Sequence, residues 1–216
     1  MCFRCEGGKF LGFILTNRSI EANPDKCEAI MKMRSPANLK ELQRLVGKLN
    51  SLARCLPILA ERTKPIVKLL KKSETFEWNE QCERAFSQIK SMTAEPPILV
   101  KPVLAQPIIV YLATLHEAIG VALIQENPEQ KPIYFVSKSL KNVETIYPLV
   151  EKIALTLVYT TRRLRPYFHN HQIIVRTDYP ISKILRKTEL TGGMVTWSME
   201  LSEFGIKYEP RGTIKA

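Results

Sequence analysis

Aspartate is nearly missing from this chain: of its 21 acidic residues only Asp25 and Asp178 are aspartates. That scarcity argues against any mechanism that gathers several aspartates around metal ions. Cysteine is sparse too, with five residues at positions 2, 5, 27, 55 and 82. An odd, scattered set excludes a disulfide-stapled framework and suits a reducing compartment. Cys2 and Cys5 have metal-like spacing but no second pair to complete a zinc site. No uncharged apolar run reaches about 18 residues, so no membrane span is expected. Residues 1–13 lack the apolar stretch of a secretory signal, and the expected location is intracellular, cytoplasmic or nuclear. Glycine is limited to nine residues, and Gly192-Gly193 reads as a turn or helix start, not a phosphate loop.

What is present is a sizeable core and an excess of cations. The 216 residues are 45% apolar, enough to bury one or two domains. Lys and Arg number 32 against 21 acids, a net charge of +11. Residues 1–101 carry 18 basic and 11 acidic side chains, and residues 102–216 carry 14 and 10. A polyanionic partner is one reading, because neutralising phosphates releases counterions; a solvated basic surface is the other.

The pattern changes near residue 100. Before it, Lys9–Leu15 reads as a strand, followed by a polar turn at 16–19. Asn23-Pro24 caps and opens a helix that Ser35-Pro36 should stop. Asn38 and Glu41 have capping-box spacing ahead of Leu39, Leu42, Leu45, Val46, Leu49 and Leu52, a helix expected to run to Pro57. Pro65 starts a third helix, and Asn79 caps a fourth whose inward face is Cys82, Ala85, Phe86, Ile89 and Met92. Pro96, Pro97, Pro102 and Pro107 read as a linker. Beyond it, 108–112, 119–125 and 132–137 are strand candidates in a meander. A long amphipathic helix over 143–164 follows, then a strand at 173–177, helices over 181–186 and 191–204, and a closing strand at 206–208. The expected class is α+β: a small helical bundle followed by an α/β unit of three antiparallel strands, a helix, a strand, helices and a strand.

Blocks along this pattern carry a resemblance. Phe10-Leu-Gly-Phe13, Ile20 to Lys26, Leu45-Val-Gly-Lys-Leu-Asn50, Phe76 to Asn79 with Ala85-Phe86, Lys131 to Leu140, Arg165-Pro-Tyr-Phe168, Arg176-Thr-Asp178 and Trp197 to Phe204 follow in one order over nearly the whole chain. They resemble the polymerase polyprotein of gypsy-type LTR retrotransposons of the plant sort. The resemblance implies that 1–22 is the tail of the reverse transcriptase palm, 23–95 the thumb and connection helices, and 96–216 a ribonuclease H-like domain cut short at its C-terminal end. The activities it implies are RNA-directed DNA synthesis and cleavage of the RNA strand of a hybrid.

Departures from the family pattern speak against both activities in this chain alone. No Asp-Asp pair stands here for polymerisation, and the chain is expected to begin after that hairpin. Ribonuclease H chemistry needs several carboxylates around two cations that activate water. By the resemblance, the first acid position holds Ala113 and the later helix position holds Ile153, while Glu151 and Asp178 remain as vestiges. A methyl in place of a carboxylate leaves a hard divalent cation little to bind. No cofactor is therefore expected, or Mg²⁺ if nuclease activity persists through Asp178 with Glu151 or Glu144.

For the implied partner, an RNA–DNA hybrid or DNA duplex, two cationic groups are candidates. Lys64, Lys68, Lys71 and Lys72 would sit on one short helix, the first three at near-helical spacing, and Arg162, Arg163 and Arg165 close the long helix. Solvation explains the lysines equally, and cations at a helix C-terminus are favourable without any ligand. Trp78 and Trp197 lie at core-periodic positions and read as packing residues before base-stacking ones. His116, His169 and His171 lack a partner set, although His169 and His171 could weakly hold a surface metal. Three functions remain open: a silent duplex-gripping module that joins the rest of a polymerase, a residual metal-dependent hybrid nuclease, or a decayed fragment. The last would leave the Phe10–Leu15 strand as an exposed, aggregation-prone edge.

Overall fold

A computed structural model describes residues 8–10, 13–16, 19–71, 76–126, 128–186 and 193–212. The chain divides into two compact units, Met1–Lys101 and Pro102–Ala216.

The first unit opens with three short strands, β1 (Gly8–Phe10), β2 (Phe13–Leu15) and β3 (Ser19–Ala22). The stretch expected as one orphan strand is thus two antiparallel strands, with Lys9 opposite Ile14, and β3 covers the other side of β2 with Glu21 opposite Ile14. The turn into β3 is tied by Thr16, whose N–H donates to the Ser19 carbonyl at 3.0 Å while its Oγ1 accepts the Ser19 N–H at 2.9 Å. β2 is therefore an interior strand with Phe13 buried, which corrects the exposed-edge expectation.

Five helices follow: α1 (Pro24–Met31), α2 (Leu39–Leu52), α3 (Leu59–Arg62), α4 (Lys64–Lys68) and α5 (Glu80–Ala94). Three asparagines cap them as their positions predict. Asn23, Asn38 and Asn79 accept the N–H of Asp25, Glu41 and Cys82, each at 3.0 Å. Glu41 closes its box one residue early, accepting from Ala37 N at 2.9 Å. α1 ends before Ser35, and α2 ends at Leu52 instead of reaching Pro57. The leucine stripe of α2 (Leu42, Leu45, Leu49, Leu52) is buried with Ile30, Ile66, Phe86 and Ile89. Thr93 takes the inward place expected for Met92 and donates its hydroxyl to the Ile89 carbonyl at 2.5 Å. Leu99–Val100, expected as linker, forms β4 and pairs with β3, so the first unit runs past position 95. Cys27, Cys55 and Cys82 are free and buried, and burial pushes the Cys55 thiol up to about 12.

In the second unit β5 (Ile108–Thr114), β6 (Ala118–Glu126) and β7 (Gln130–Ser139) form the expected antiparallel meander. The long helix is broken into α6 (Val143–Ile146) and α7 (Leu149–Arg163). Pro148 forces the break, because its ring excludes helical geometry at Tyr147, whose φ and ψ are −57° and 141°. The chain continues through α8 (Arg165–Asn170), a short helix not foreseen, then β8 (Ile173–Arg176), α9 (Ile181–Leu185), α10 (Gly193–Ser202) and β9 (Lys207–Glu209). The sheet order is β7-β6-β5-β8-β9, with β8 parallel to β5 and β9 parallel to β8. This is the expected mixed α and β class.

α7 packs on β5 and β6 through Ile153, Ala154, Leu157 and Val158, all buried. Buried threonines on the same helix satisfy themselves locally: Thr156 and Thr160 donate to the carbonyls of Lys152 and Thr156 at 2.6 and 2.7 Å. Lys152, itself buried, donates to the His116 carbonyl at 3.1 Å.

The bundle of the first unit should depend on Phe86, which is 1% exposed and meets Trp78 edge-on at 5.9 Å. Phe86→Ala is expected to cost about 3–5 kcal/mol. Urea unfolding followed by Trp78 fluorescence in a Trp197→Phe background checks this.

Candidate nucleic-acid interface

The residues expected at the acid positions lie on separate elements. Ala113 sits in β5 opposite Gly120 of β6. Ile153 is 2% exposed inside the α7 packing, so that helix position belongs to the core. Glu151 lies half-buried in the first turn of α7. Asp178 follows β8, exposed, and its Oδ1 accepts the backbone N–H of Arg211 at 3.0 Å. The local turn bond that Asp178 could have made falls to Thr177, whose Oγ1 accepts from Tyr179 N at 3.3 Å. Glu144 is taken: burial pushes its carboxyl up, but the bonds from Lys138 and from Lys141 N, with the charges of both lysines, outweigh this and hold it low. Among the described residues no three His, Cys, Asp or Glu side chains come together as a metal would require. These donors do not fit a pair of divalent cations.

The cationic groups also differ from expectation. α4 is only five residues long, so Lys64 and Lys68 are its first and last residues and Lys71 lies beyond it. Lys64 is half-buried and engaged, Lys68 and Lys71 are exposed, and Lys72 lies outside the described residues. The arginine trio is split. Arg162 forks onto Glu200, Nε to Oε1 at 2.9 Å and Nη2 to Oε2 at 2.7 Å. Arg165 reaches Glu203 at 3.1 Å and His169 Nε2 at 3.0 Å. The reason is α10, which packs on α7, carries Glu200 and is followed directly by Glu203. Of the three, only Arg163 is exposed without a described ion pair. Arg162 holds Glu200 below the usual carboxylate range against a smaller opposing effect of burial.

The tryptophans pack. Trp78 Nε1 donates to Glu83 at 2.6 Å, and Trp197 meets Tyr147 edge-on at 6.0 Å.

A basic surface that the sequence reading missed lies on α2. Lys40, Arg44 and Lys48, at i, i+4 and i+8, are exposed along the flank away from the leucine stripe and make no ion pair among the described residues. Beside them a cleft of about 380 Å³ is lined by Asp25, Lys26, Ala29, Gly47, Lys48 and Ser51. Beyond the backbone of α2 and the adjoining residues, nothing lies within 4 Å of where a Cβ on Gly47 would stand, which leaves the flank open to close approach. The four-residue spacing of these cations was the available signal.

Comparison with known proteins bears on this geometry. Residues 78–175 match the RNase H-like domain found in reverse transcriptase. Curated proteins similar to this chain include the retrovirus-related Pol polyprotein from transposon opus of Drosophila melanogaster, 28% identical over 218 residues, covering 94% of this chain and 22% of that protein. The transposon Tf2-3 polyprotein of Schizosaccharomyces pombe is 23% identical over 211 residues, covering 94% of this chain and 16% of that protein. The chain thus spans about a fifth of such polyproteins. Two solved structures of the foamy viral protease-reverse transcriptase, one in complex with double-stranded DNA and one with an RNA/DNA hybrid, share its fold. Both have a TM-score of 0.80 over 97% of this chain, at 21% and 22% identity, and it covers 38% and 30% of theirs.

A dense polar constellation of the second unit is structural. Arg176 donates to Glu126 from Nη1 at 2.7 Å and from Nη2 at 3.0 Å, and to Tyr111 Oη at 2.9 Å. Arg176 is the main cause holding the Glu126 carboxyl low, with burial opposing. A carboxyl lowered by folding stabilises the fold above its unfolded pKa, and that contribution is lost as pH falls through the folded value. The wild-type chain should therefore lose stability below about pH 4.3, the ordinary glutamate value, more steeply than Glu126→Gln. Thermal unfolding between pH 7 and pH 3 measures the difference.

Proposed function

We propose that the chain is a catalytically silent module that grips a nucleic-acid duplex by its phosphate backbone, as part of a gypsy-type Pol polyprotein of the plant sort. It works inside the cell with the rest of the polymerase as partner. The observation that carries this reading is the open cationic flank of α2 beside its cleft. A row of unpaired Lys and Arg on one helix face neutralises phosphates without reading bases. Arg163, Lys68 and Lys71 extend the set, whereas Arg162 and Arg165 are already neutralised by glutamates. The foamy viral enzyme, whose fold this chain shares, was solved on double-stranded DNA and on an RNA/DNA hybrid, and both are natural probes. The methyl of Ala113 and the buried Ile153 support silence, because neither can hold a cation.

Fluorescence anisotropy with a labelled RNA–DNA hybrid and a DNA duplex, across a salt series, tests the grip. Affinity should fall steeply with salt and differ little between sequences. Replacing Lys40, Arg44 and Lys48 together by Gln should reduce the slope of log K against log salt by about 2–3. An unchanged slope places the grip elsewhere. Incubation of the same hybrid with Mg²⁺ and Mn²⁺ should give no cleavage, and cleavage that disappears in Asp178→Ala would overturn the silent reading.

A further inference from the structure

The stretch around β9 closes on the ends of β8 and β5. β9 pairs with β8 as far as Glu209, whose carbonyl accepts the N–H of Thr177 at 2.8 Å. Pro210 has no N–H to extend the ladder. The carboxylate of Asp178 supplies the next rung by accepting Arg211 N at 3.0 Å. From there the Arg211 side chain crosses the end of β8 and its Nη2 donates to the carbonyl of Leu112 on β5. Leu112 lies one residue beyond Tyr111–Arg176, the last β5–β8 pair, and one residue before Ala113. Gly212 follows with φ of +71°, a conformation that glycine adopts without strain.

One arginine therefore bridges the carboxyl-terminal ends of β5 and β8, the corner whose acid positions are Ala113 and Asp178. We infer that Arg211 is a resident cation that closes this corner against divalent metal, so that the vestigial centre is a tail latch. The guanidinium is permanently charged and satisfies the Leu112 carbonyl. A divalent cation brought to this corner would meet the guanidinium held on the Leu112 carbonyl, and like charges repel. The inference rests on the silent reading of this corner, but its readouts are metal binding and tail protection, independent of cleavage and duplex affinity.

Mn²⁺ titration of the full chain, read from the free-ion electron paramagnetic resonance signal, tests it. Ala113→Asp alone should gain no site, because Arg211 remains. Ala113→Asp combined with Arg211→Gln should bind Mn²⁺ at least about tenfold more tightly, since removing one neighbouring charge is worth roughly that factor, and Asp178→Asn in that background should abolish the gain. Equal binding with and without Arg211, or none in the combined variant, overturns the inference. A second measurement keeps the test open if the β5 substitution does not fold. Asp178→Asn should speed tryptic cleavage after Arg211 by about tenfold, as expected for a weakened charge-assisted bond. An unchanged rate means the latch does not hold.

Discussion

Packing of the apolar face of α7 onto β5 and β6 constrains nearly everything else in the second unit. The helix must bury Ile153, Ala154, Leu157 and Val158 to hold the sheet, and this commits position 153 to hydrocarbon. An ionised carboxylate there would have to leave water without a partner, a heavy cost in so dense a core. The same packing sets the threonines of α7 against their own helix carbonyls and leaves Lys152 bonded to the His116 carbonyl. The polar groups of the helix are thus consumed in holding it in place.

Electrostatics in this protein follow from which cations have been claimed. Arg176 is held by Glu126 and Tyr111, Arg162 by Glu200, Arg165 by Glu203, and Arg211 by a backbone carbonyl. Exposed pairs such as Arg165–Glu203 add little to stability, at most about 1 kcal/mol. Their larger effect is to remove positive charge from the surface presented by α7 and α8. The excess of +11 therefore acts through residues without partners, foremost the flank of α2.

Local rules were legible in the sequence wherever a contact closes within a few residues. Asn23, Asn38 and Asn79 cap as expected because the N–H groups they accept lie two or three residues on. The leucines of α2 and the meander of β5 to β7 follow from period alone. The break at Pro148 was also written in the chain, since proline restricts the residue before it, but the run of apolar residues across 143–164 masked it. β4 escaped notice because two residues between prolines carry no period. Their strand character comes from Ile20, opposite Leu99.

By itself the sequence determined the class of fold, the apolar residues at 113 and 153, and the surplus of cations. All of these depend on residue identity and short-range spacing. Only the tertiary structure decided which cations remain open to a ligand and what became of the surviving acid. Arg162 and Glu200 are 38 residues apart, and Asp178 and Arg211 are 33 apart. Such pairs form because helices and strands are brought together by burying apolar faces, and no local pattern of charge records where that burial will place them.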